Sequence, residues 1–506
     1  MIKLSAGARI SLVVAASAAV VYLGSLWNRF AMDDIYIVVF NPLVRTPSGI
    51  WQAFAHPYWP PEFAGKMYRP LVVASFALDR LTASAMWFHF VNLLWHAGAT
   101  VAVAALARRW AGETAALVAG LVFAVHPVHV EAVANVVGRA ELMAACFSLL
   151  AVYAALERDS VGWTAAALAL GLVSKENAAV VPGLIASAWI LGVRPLPPKR
   201  RLGAYVASWA LVGAAYAIVR WAVLHPYSHT QALAPVFFGA SPAAVRMTAV
   251  AALADLGRLL VFPLTLRADY SPDERTLVTS LVDGRFLVGL AVFAVWASLL
   301  WWTWRRGRRI EAFALGWIAI AYLPVANLLV PSGVVMAERT LYLPSAGLAL
   351  ALGAAAARWA LPRRRLVGVG ALLIALGALR TVTRVPVWKD DASVTQSMLE
   401  DSPASYRGPA RAGAAFQNAR DPARALDAYH HAVAVFDRDP SVFVGAADAA
   451  FTLGRPGLAD SLLARADQLC LRCGDYLRVQ ARAARSRGDT ATADWFVTRA
   501  RTWDAR

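Results

Sequence analysis

Residues Ile10–Trp27 read ISLVVAASAAVVYLGSLW, an unbroken apolar run of 18 residues behind Lys3 and Arg9. As a helix it would be about 27 Å long, close to the ~30 Å hydrocarbon core of a bilayer. Its Ala-Ser-Ala invites a signal peptidase, but the run exceeds a usual signal core, so a retained first transmembrane helix is expected. Further apolar stretches of spanning length begin near Phe88, Gly112, Ala134, Val161, Asn177, Gly203, Phe286, Ala312, Tyr342 and Leu366, which makes eleven candidate spans with the first. The Val161–Val193 stretch is too long for one helix and is interrupted at Ser174-Lys175-Glu176-Asn177. It reads as two short spans meeting at a polar tip.

Composition agrees with that reading. Of 506 residues, 59% are hydrophobic and 16% charged, against about 45–50% and about 25% in ordinary globular chains. A soluble multidomain enzyme and a disordered chain are both excluded. The net charge of +17 comes from 49 basic and 32 acidic residues. The basic residues sit in short clusters between apolar runs: Arg108-Arg109, Lys199-Arg200-Arg201, Arg305 to Arg309 and Arg363-Arg364-Arg365. That is the pattern of topology determinants, so no nucleic-acid partner is expected.

Parity gives an orientation. With the N-terminus inside and one crossing per span, Arg108-Arg109, Arg158, Arg194 to Arg201, Arg305 to Arg309 and Arg363 to Arg365 all fall in the cytoplasm. Counting Val245–Leu266, which Asp255 and Arg258 interrupt, as a further span would put Arg305 to Arg309 outside. That segment is expected to lie at the interface or to re-enter on the outer side. The prediction is an inner (plasma) membrane protein, multi-pass, with its C-terminus in the periplasm or its topological equivalent.

After about residue 382 the long apolar runs stop. A step of 34 links Ala425, Ala459 and Ala493; Ala432, Ala466 and Ala500; Gly413, Ala447 and Ala481; and the larger Tyr429, Leu463 and Val497. Small residues at a 34-residue period are the tetratricopeptide (TPR) signature, because they let the two helices of a repeat pack closely. The fold expected is therefore all-α: a polytopic membrane helical bundle over 1–385, with an outer loop at 28–87, and a TPR-like α-solenoid over 386–506. Of three cysteines, Cys146 lies in an apolar run, while Cys470 and Cys473 form one CxxC. Two ligands do not make a structural zinc site, and outside the cytoplasm a local disulfide is the expected state.

The expected outer face carries charge that a bundle does not need. The first outer loop opens with Asp33-Asp34, which could serve as a general base with an orienting partner or simply solvate a helix end. The same loop holds Arg69, whose guanidinium can grip a phosphate with two parallel bonds. The third span ends in His126-Pro127-Val128-His129-Val130-Glu131, followed by Arg139 and Glu141. Pro127 breaks the geometry a helical ligand pair would use, and the spacing matches no usual zinc pattern. Lys175-Glu176 and Glu338-Arg339 add two more opposite-charge pairs on the same side. Ionisable groups gathered beside a bilayer mark a site.

HPVHVEAVANVVGRAEL (126–142), SKEN (174–177), ADYSPDE (268–274) and AERTLYLPSAG (337–347), with Asp33-Asp34 and the C-terminal repeats, resemble the transmembrane-and-TPR (TMTC) protein O-mannosyltransferases. The motif order matches over nearly the whole chain, and the Ala- and Arg-rich composition with few repeats suggests a bacterial member. The resemblance implies a polytopic glycosyltransferase of the GT-C class. Such an enzyme takes a sugar, mannose by analogy, from a polyprenyl phosphate and passes it, with inversion, to a Ser or Thr hydroxyl on the non-cytoplasmic face. It implies a base at Asp33 or Asp34 and phosphate contacts from Arg139, Lys175, Arg339 and Arg69. His126, His129, Glu131, Glu176 and Glu338 would take supporting or acceptor-side positions. No cofactor or metal is expected, since Asp33-Asp34 departs from an Asp-x-Asp pattern and Arg or Lys can carry a monophosphate's charge. The partners implied are the lipid-linked donor, membrane lipid and a protein acceptor met through the repeats. Three other readings stay open on sequence: a lipid or wall-glycan acceptor, a non-catalytic TPR scaffold, and a lipid-linked-sugar transporter. The last would need polar residues lining a path across the whole bilayer, and the spans lack them.

Overall fold

A computed structural model describes residues 5–60, 67–82, 84–227, 233–359, 363–469 and 474–504. Cys470 and Cys473 lie outside the described residues, which contain helices and no strand. The first helix, α1 (Ala6–Val21), follows the Ser5 cap and continues as a 3-10 turn to Trp27. The outer loop contains α2 (Gly49–Gln52) and α3 (Pro70–Asp79), the latter largely buried.

Helix α4 (Ala85–Val125) holds two spans in one run. At Gly112 the backbone turns to φ 85°, ψ −171°, a region that side chains with a Cβ avoid. The chain then folds back on itself: Nε2 of His96 lies 3.1 Å from the Ala124 carbonyl. After the short α5 (Val130–Ala134) come α6 (Arg139–Arg158) and the short pair α7 (Val161–Ser174) and α8 (Val181–Ile190), which meet at Lys175 and Glu176 as expected. Helix α9 (Lys199–Leu224) leads to α10 (Pro242–Ala251) and α11 (Leu253–Val261). These two occupy the Val245–Leu266 segment and are too short to span at about 1.5 Å per residue. The interrupting Asp255 and Arg258 are paired, Asp255 also accepting two bonds from Arg275 at 2.6 and 2.7 Å.

Helices α12 (Gly284–Arg305), α13 (Arg309–Tyr322), α14 (Tyr342–Arg358) and α15 (Arg363–Arg384) complete the bundle. Every one of the eleven expected spans coincides with a helix or a helix half, and among the described residues six helical stretches are long and apolar enough to cross a membrane on those grounds alone. The buried centre is α4, α6 and α14. Close approach there depends on small residues: a Cβ on Gly353 would sit 2.6 Å from the Ala115 carbonyl oxygen. Helices α9, α12 and α15 lie outside and present Ile218, Phe293, Leu299 and Leu376 outward. Apolar surface of that extent needs lipid rather than water.

Past a 3-10 turn at Val385–Trp388, α16 (Asp391–Asp401) begins the C-terminal array. Three helical hairpins follow: α17 (Arg407–Asn418) with α18 (Pro422–Val435), α19 (Pro440–Thr452) with α20 (Pro456–Leu469), and α21 (Gly474–Ser486) with α22 (Thr490–Asp504). The small residues of the 34-residue step are all buried, Ala425, Ala459 and Ala493 completely. The periodicity therefore marks helix-to-helix contacts.

Candidate active site

The two adjacent carboxylates part at once. Met32 takes a left-handed conformation, φ 56°, and turns the chain so that Asp34 points inward. Its carboxylate accepts from the amides of Ala31 (3.2 Å), Val136 (3.3 Å) and Val137 (2.8 Å). The last two open the turn that leads into α6, where amide donors lack intrahelical partners. Burial pushes the Asp34 carboxyl up to about 7, against the pull of those amides and with a small push from the Asp33 charge. Asp33 itself is half-buried, with no hydrogen bond or ion pair of its own among the described residues. A carboxylate left unoccupied beside one that is fully engaged is the arrangement a general base requires.

Three cations, each in a short segment between helices, pair with acids nearby, and Arg339 among them feels the Asp33 charge. Arg69 precedes the Pro70 start of α3 and grips Glu176 with two bonds, Nη2 at 2.6 Å and Nε at 3.2 Å, while its guanidinium lies 5.2 Å from the centre of the Tyr58 ring. Burial opposes the Glu176 charge, but Arg69 outweighs it and holds the carboxyl down at about 2. Lys175 pairs with Glu141 of α6, both buried. Burial lowers the Lys175 ammonium from its ordinary value, against the attraction of Glu141. Arg339, in the 3-10 turn before α14, pairs with Glu131, which also accepts the Arg339 amide at 2.8 Å.

These pairs form one electrostatic neighbourhood. Tyr58, whose hydroxyl burial pushes up, feels Arg69, Asp33, Asp34 and Arg339 together. Arg339 feels Glu131 first, then Asp33 and Glu141. Exposure separates the cations: the Arg339 side chain is 36% accessible, against 10% for Arg69 and 8% for Lys175. Arg339 is the cation best placed to meet a ligand from outside. Glu141 and Tyr58 complete the cluster, and sequence reasoning did not pick them as site residues. Glu141 stands in the same motif as Arg139; Tyr58 reads as an interfacial anchor and carries no chemical signal.

Four expected site residues are claimed by other partners, each for a physical reason. Arg139, expected at the phosphate, is fully buried between the rings of Phe76 and Phe88. Its guanidinium is occupied by Asp79, Asn92 (2.8 Å), Ser75 (3.2 Å) and the Phe88 carbonyl (2.8 Å). His126 is buried against the Leu260 carbonyl at 3.0 Å, and burial pushes its imidazole down to about 4. His129 is wholly buried beside Phe123 and Tyr342, 2.6 Å from the Ser345 hydroxyl. Glu338 turns away from Arg339 to accept from the Arg267 amide (2.5 Å) and the Tyr270 hydroxyl (2.9 Å) of the ADYSPDE segment. These four hold helix ends together. Among the described residues, no three His, Cys, Asp or Glu side chains gather as a metal site.

No protein-family model matches the chain. The human protein O-mannosyl-transferase TMTC4 is 29% identical over 460 residues, covering 78% of this chain and 62% of its own. The mouse protein O-mannosyl-transferase TMTC3 is 28% identical over 387 residues, covering 67% and 41%. The Caenorhabditis elegans protein O-mannosyl-transferase F38B6.6 is 27% identical over 418 residues, covering 80% and 59%. The chain thus spans between 41% and 62% of the length of these curated relatives. Over most of its own length it is similar to proteins that share one name, and the resemblance carried by its motifs holds: the chain is TMTC-like.

Proposed function

We propose that the chain is a membrane glycosyltransferase that moves a sugar, mannose by analogy with its named relatives, from a polyprenyl-phosphate donor to a Ser or Thr hydroxyl of a protein on the non-cytoplasmic side of the plasma membrane. The observation that carries this reading is the state of Asp33. Asp34, Glu131, Glu141 and Glu176 are all engaged by amides or cations, whereas Asp33 has no partner among the described residues and lies within the field of Arg339.

In the reaction, Asp33 takes the proton of the acceptor hydroxyl as its oxygen attacks the anomeric carbon. The bond from that carbon to the phosphate oxygen breaks, the electron pair leaves with the phosphate, and the configuration inverts. The charge that develops on the leaving phosphate meets Arg339, with Lys175 and Arg69 behind it. The flanking helices α12 and α15 offer apolar surface to a polyprenyl chain. The C-terminal repeats, TPR-like in period, would meet a protein acceptor.

The test uses the purified full chain in detergent, radiolabelled polyprenyl-phosphate-mannose and a membrane-plus-periplasm extract, with Asp33→Asn in parallel. Label should enter protease-sensitive material with the native chain and fall by about 10²–10⁴-fold with Asp33→Asn. Label in organic-soluble material would move the acceptor to lipid. No transfer from mannose or a panel of other donor sugars would remove the enzymatic reading in favour of a scaffold.

A further inference from the structure

Among the described residues Asp33 has no bond of its own, so its direction is set by its two neighbours. On one side, Asp34 is tied to the amides of Val136 and Val137 in front of α6. On the other side stands Met32, the residue that holds the left-handed backbone conformation. A non-glycine residue at φ 56° meets steric opposition and stays there only where its surroundings impose it. What holds Met32 comes from the far end of the sequence: its amide donates to Oδ1 of Asp391, in the first turn of α16, at 2.9 Å. Arg411 of α17 ion-pairs with that same oxygen. Arg411 Nε also reaches the Thr395 hydroxyl at 3.4 Å, and Thr395 in turn donates to the Asp391 carbonyl at 2.8 Å. A second strap lies three residues upstream, where the Arg29 amide donates to the Lys389 carbonyl at 2.7 Å. The charges of Arg411, Asp391 and Asp33 all reach Tyr36.

We propose that Asp391 is a positioning residue for the base: from the start of the C-terminal array it clamps the strained turn at Met32 and so aims the Asp33 carboxylate, which makes the array part of the active site. The proposal rests on the function argued above. Asp391 touches neither donor nor acceptor in this account and acts only through the backbone of residue 32. Its removal lets the turn relax towards ordinary backbone angles and swings Asp33 away from the acceptor hydroxyl. Donor binding at Arg339, Lys175 and Arg69 stays as it was.

The experiment takes the full chain in detergent and compares the native protein with Asp391→Ala, which deletes the acceptor oxygen. It includes Asp391→Asn, which keeps an Oδ1 acceptor for the Met32 amide while losing the charge pairing with Arg411. Three quantities are read: kcat for sugar transfer, KM for the donor, and amide hydrogen exchange of the 29–36 segment by mass spectrometry. The expected result for Asp391→Ala is a fall in kcat of about 100-fold, the loss that a displacement of about 1 Å can produce, with donor KM unchanged and faster exchange in 29–36. Asp391→Asn should keep most of kcat and native-like exchange. Unchanged exchange in 29–36 on Asp391→Ala overturns the clamp whatever the activity does, and so does a loss that appears in donor KM rather than kcat. If the native chain transfers no sugar at all, the functional reading fails separately, and the exchange measurement by itself upholds or overturns the clamp.

Discussion

At the scale of single residues, what separates the charged groups here is whether their partners have already claimed them. Arg139 and Arg339 have the same chemistry and both stand in conspicuous motifs, yet one is sealed between Phe76 and Phe88 with four polar partners and the other is open on one side. Breaking a buried ion pair costs about 3–5 kcal/mol. Arg139→Lys, which cannot reproduce a planar guanidinium fork, should therefore lower the yield and the detergent thermal midpoint of the protein. Arg339→Lys should leave both near native and raise the donor KM; fluorescence-detected size exclusion and transfer kinetics separate the two. Asp34 gives a pH signature. The unfolded chain ionises this group near its ordinary carboxylate value, whereas burial keeps the folded chain protonated up to about 7. Between those limits the native state holds the extra proton, so rising pH removes stability, and above about pH 7 nothing more is lost. Thermal midpoints taken across about pH 4.5 to 8 should show the native protein losing ground to Asp34→Asn up to about pH 7 and then running parallel to it. None of this was legible in the sequence. Lys175 finds Glu141 across 34 residues, Arg69 finds Glu176 across 107, and Arg339 finds Glu131 across 208, so which charges were free depended on folding.

Among the elements, legibility follows the period of the pattern. Apolar runs set the helices, and interruptions such as Ser174 to Asn177 and Asp255 with Arg258 placed the breaks, because each demands a polar surrounding that a continuous span denies it. The 34-residue columns placed the hairpins of the array for the matching reason, that only small residues fit where two helices touch. What pattern did not reveal was the packing of the 28–87 loop, which sets α3 against α6 and α7, with Phe76 fully buried. Its segments are too short for periodicity to register. The reversal inside α4 rests on one residue. At φ 85°, ψ −171° Gly112 occupies territory closed to side chains, and a Cβ placed there would meet no neighbouring atom. The cost of Gly112→Ala is therefore purely conformational, about 1–3 kcal/mol. It should loosen the hairpin without creating a clash, seen as a lower thermal midpoint and new protease sensitivity near Arg108 and Arg109, while Gly162→Ala, equally open but at an ordinary helical position, serves as the unaffected control.

At the scale of the whole molecule, the bundle and the C-terminal array are bonded beside Asp33, and that joint turns topology into a test of the proposed function. Met32, next to Asp33, is bonded to Asp391 at the start of the array, so Asp33 and the array must lie on the same side of the membrane. The clusters Arg108-Arg109, Arg305 to Arg309 and Arg363 to Arg365 lie on the connections at the opposite end of the bundle, where a positive-inside orientation puts the cytoplasm. A donor phosphate that left on the cytoplasmic side would find basic loops there, at the end of the bundle away from Asp33. The orientation can be read with single cysteines in a chain whose Cys146, Cys470 and Cys473 are replaced by serine. Ser461→Cys, exposed on α20, should react with a membrane-impermeant maleimide in intact cells. Ser5→Cys, ahead of α1, and Arg306→Cys, between α12 and α13, should react only after permeabilisation. Labelling of Ser5→Cys in intact cells, with Ser461→Cys protected, would place array and carboxylate together in the cytoplasm. It would remove the non-cytoplasmic acceptor from the proposed reaction while leaving the Met32–Asp391 clamp untouched, because that bond fixes the array relative to the site and not relative to the bilayer.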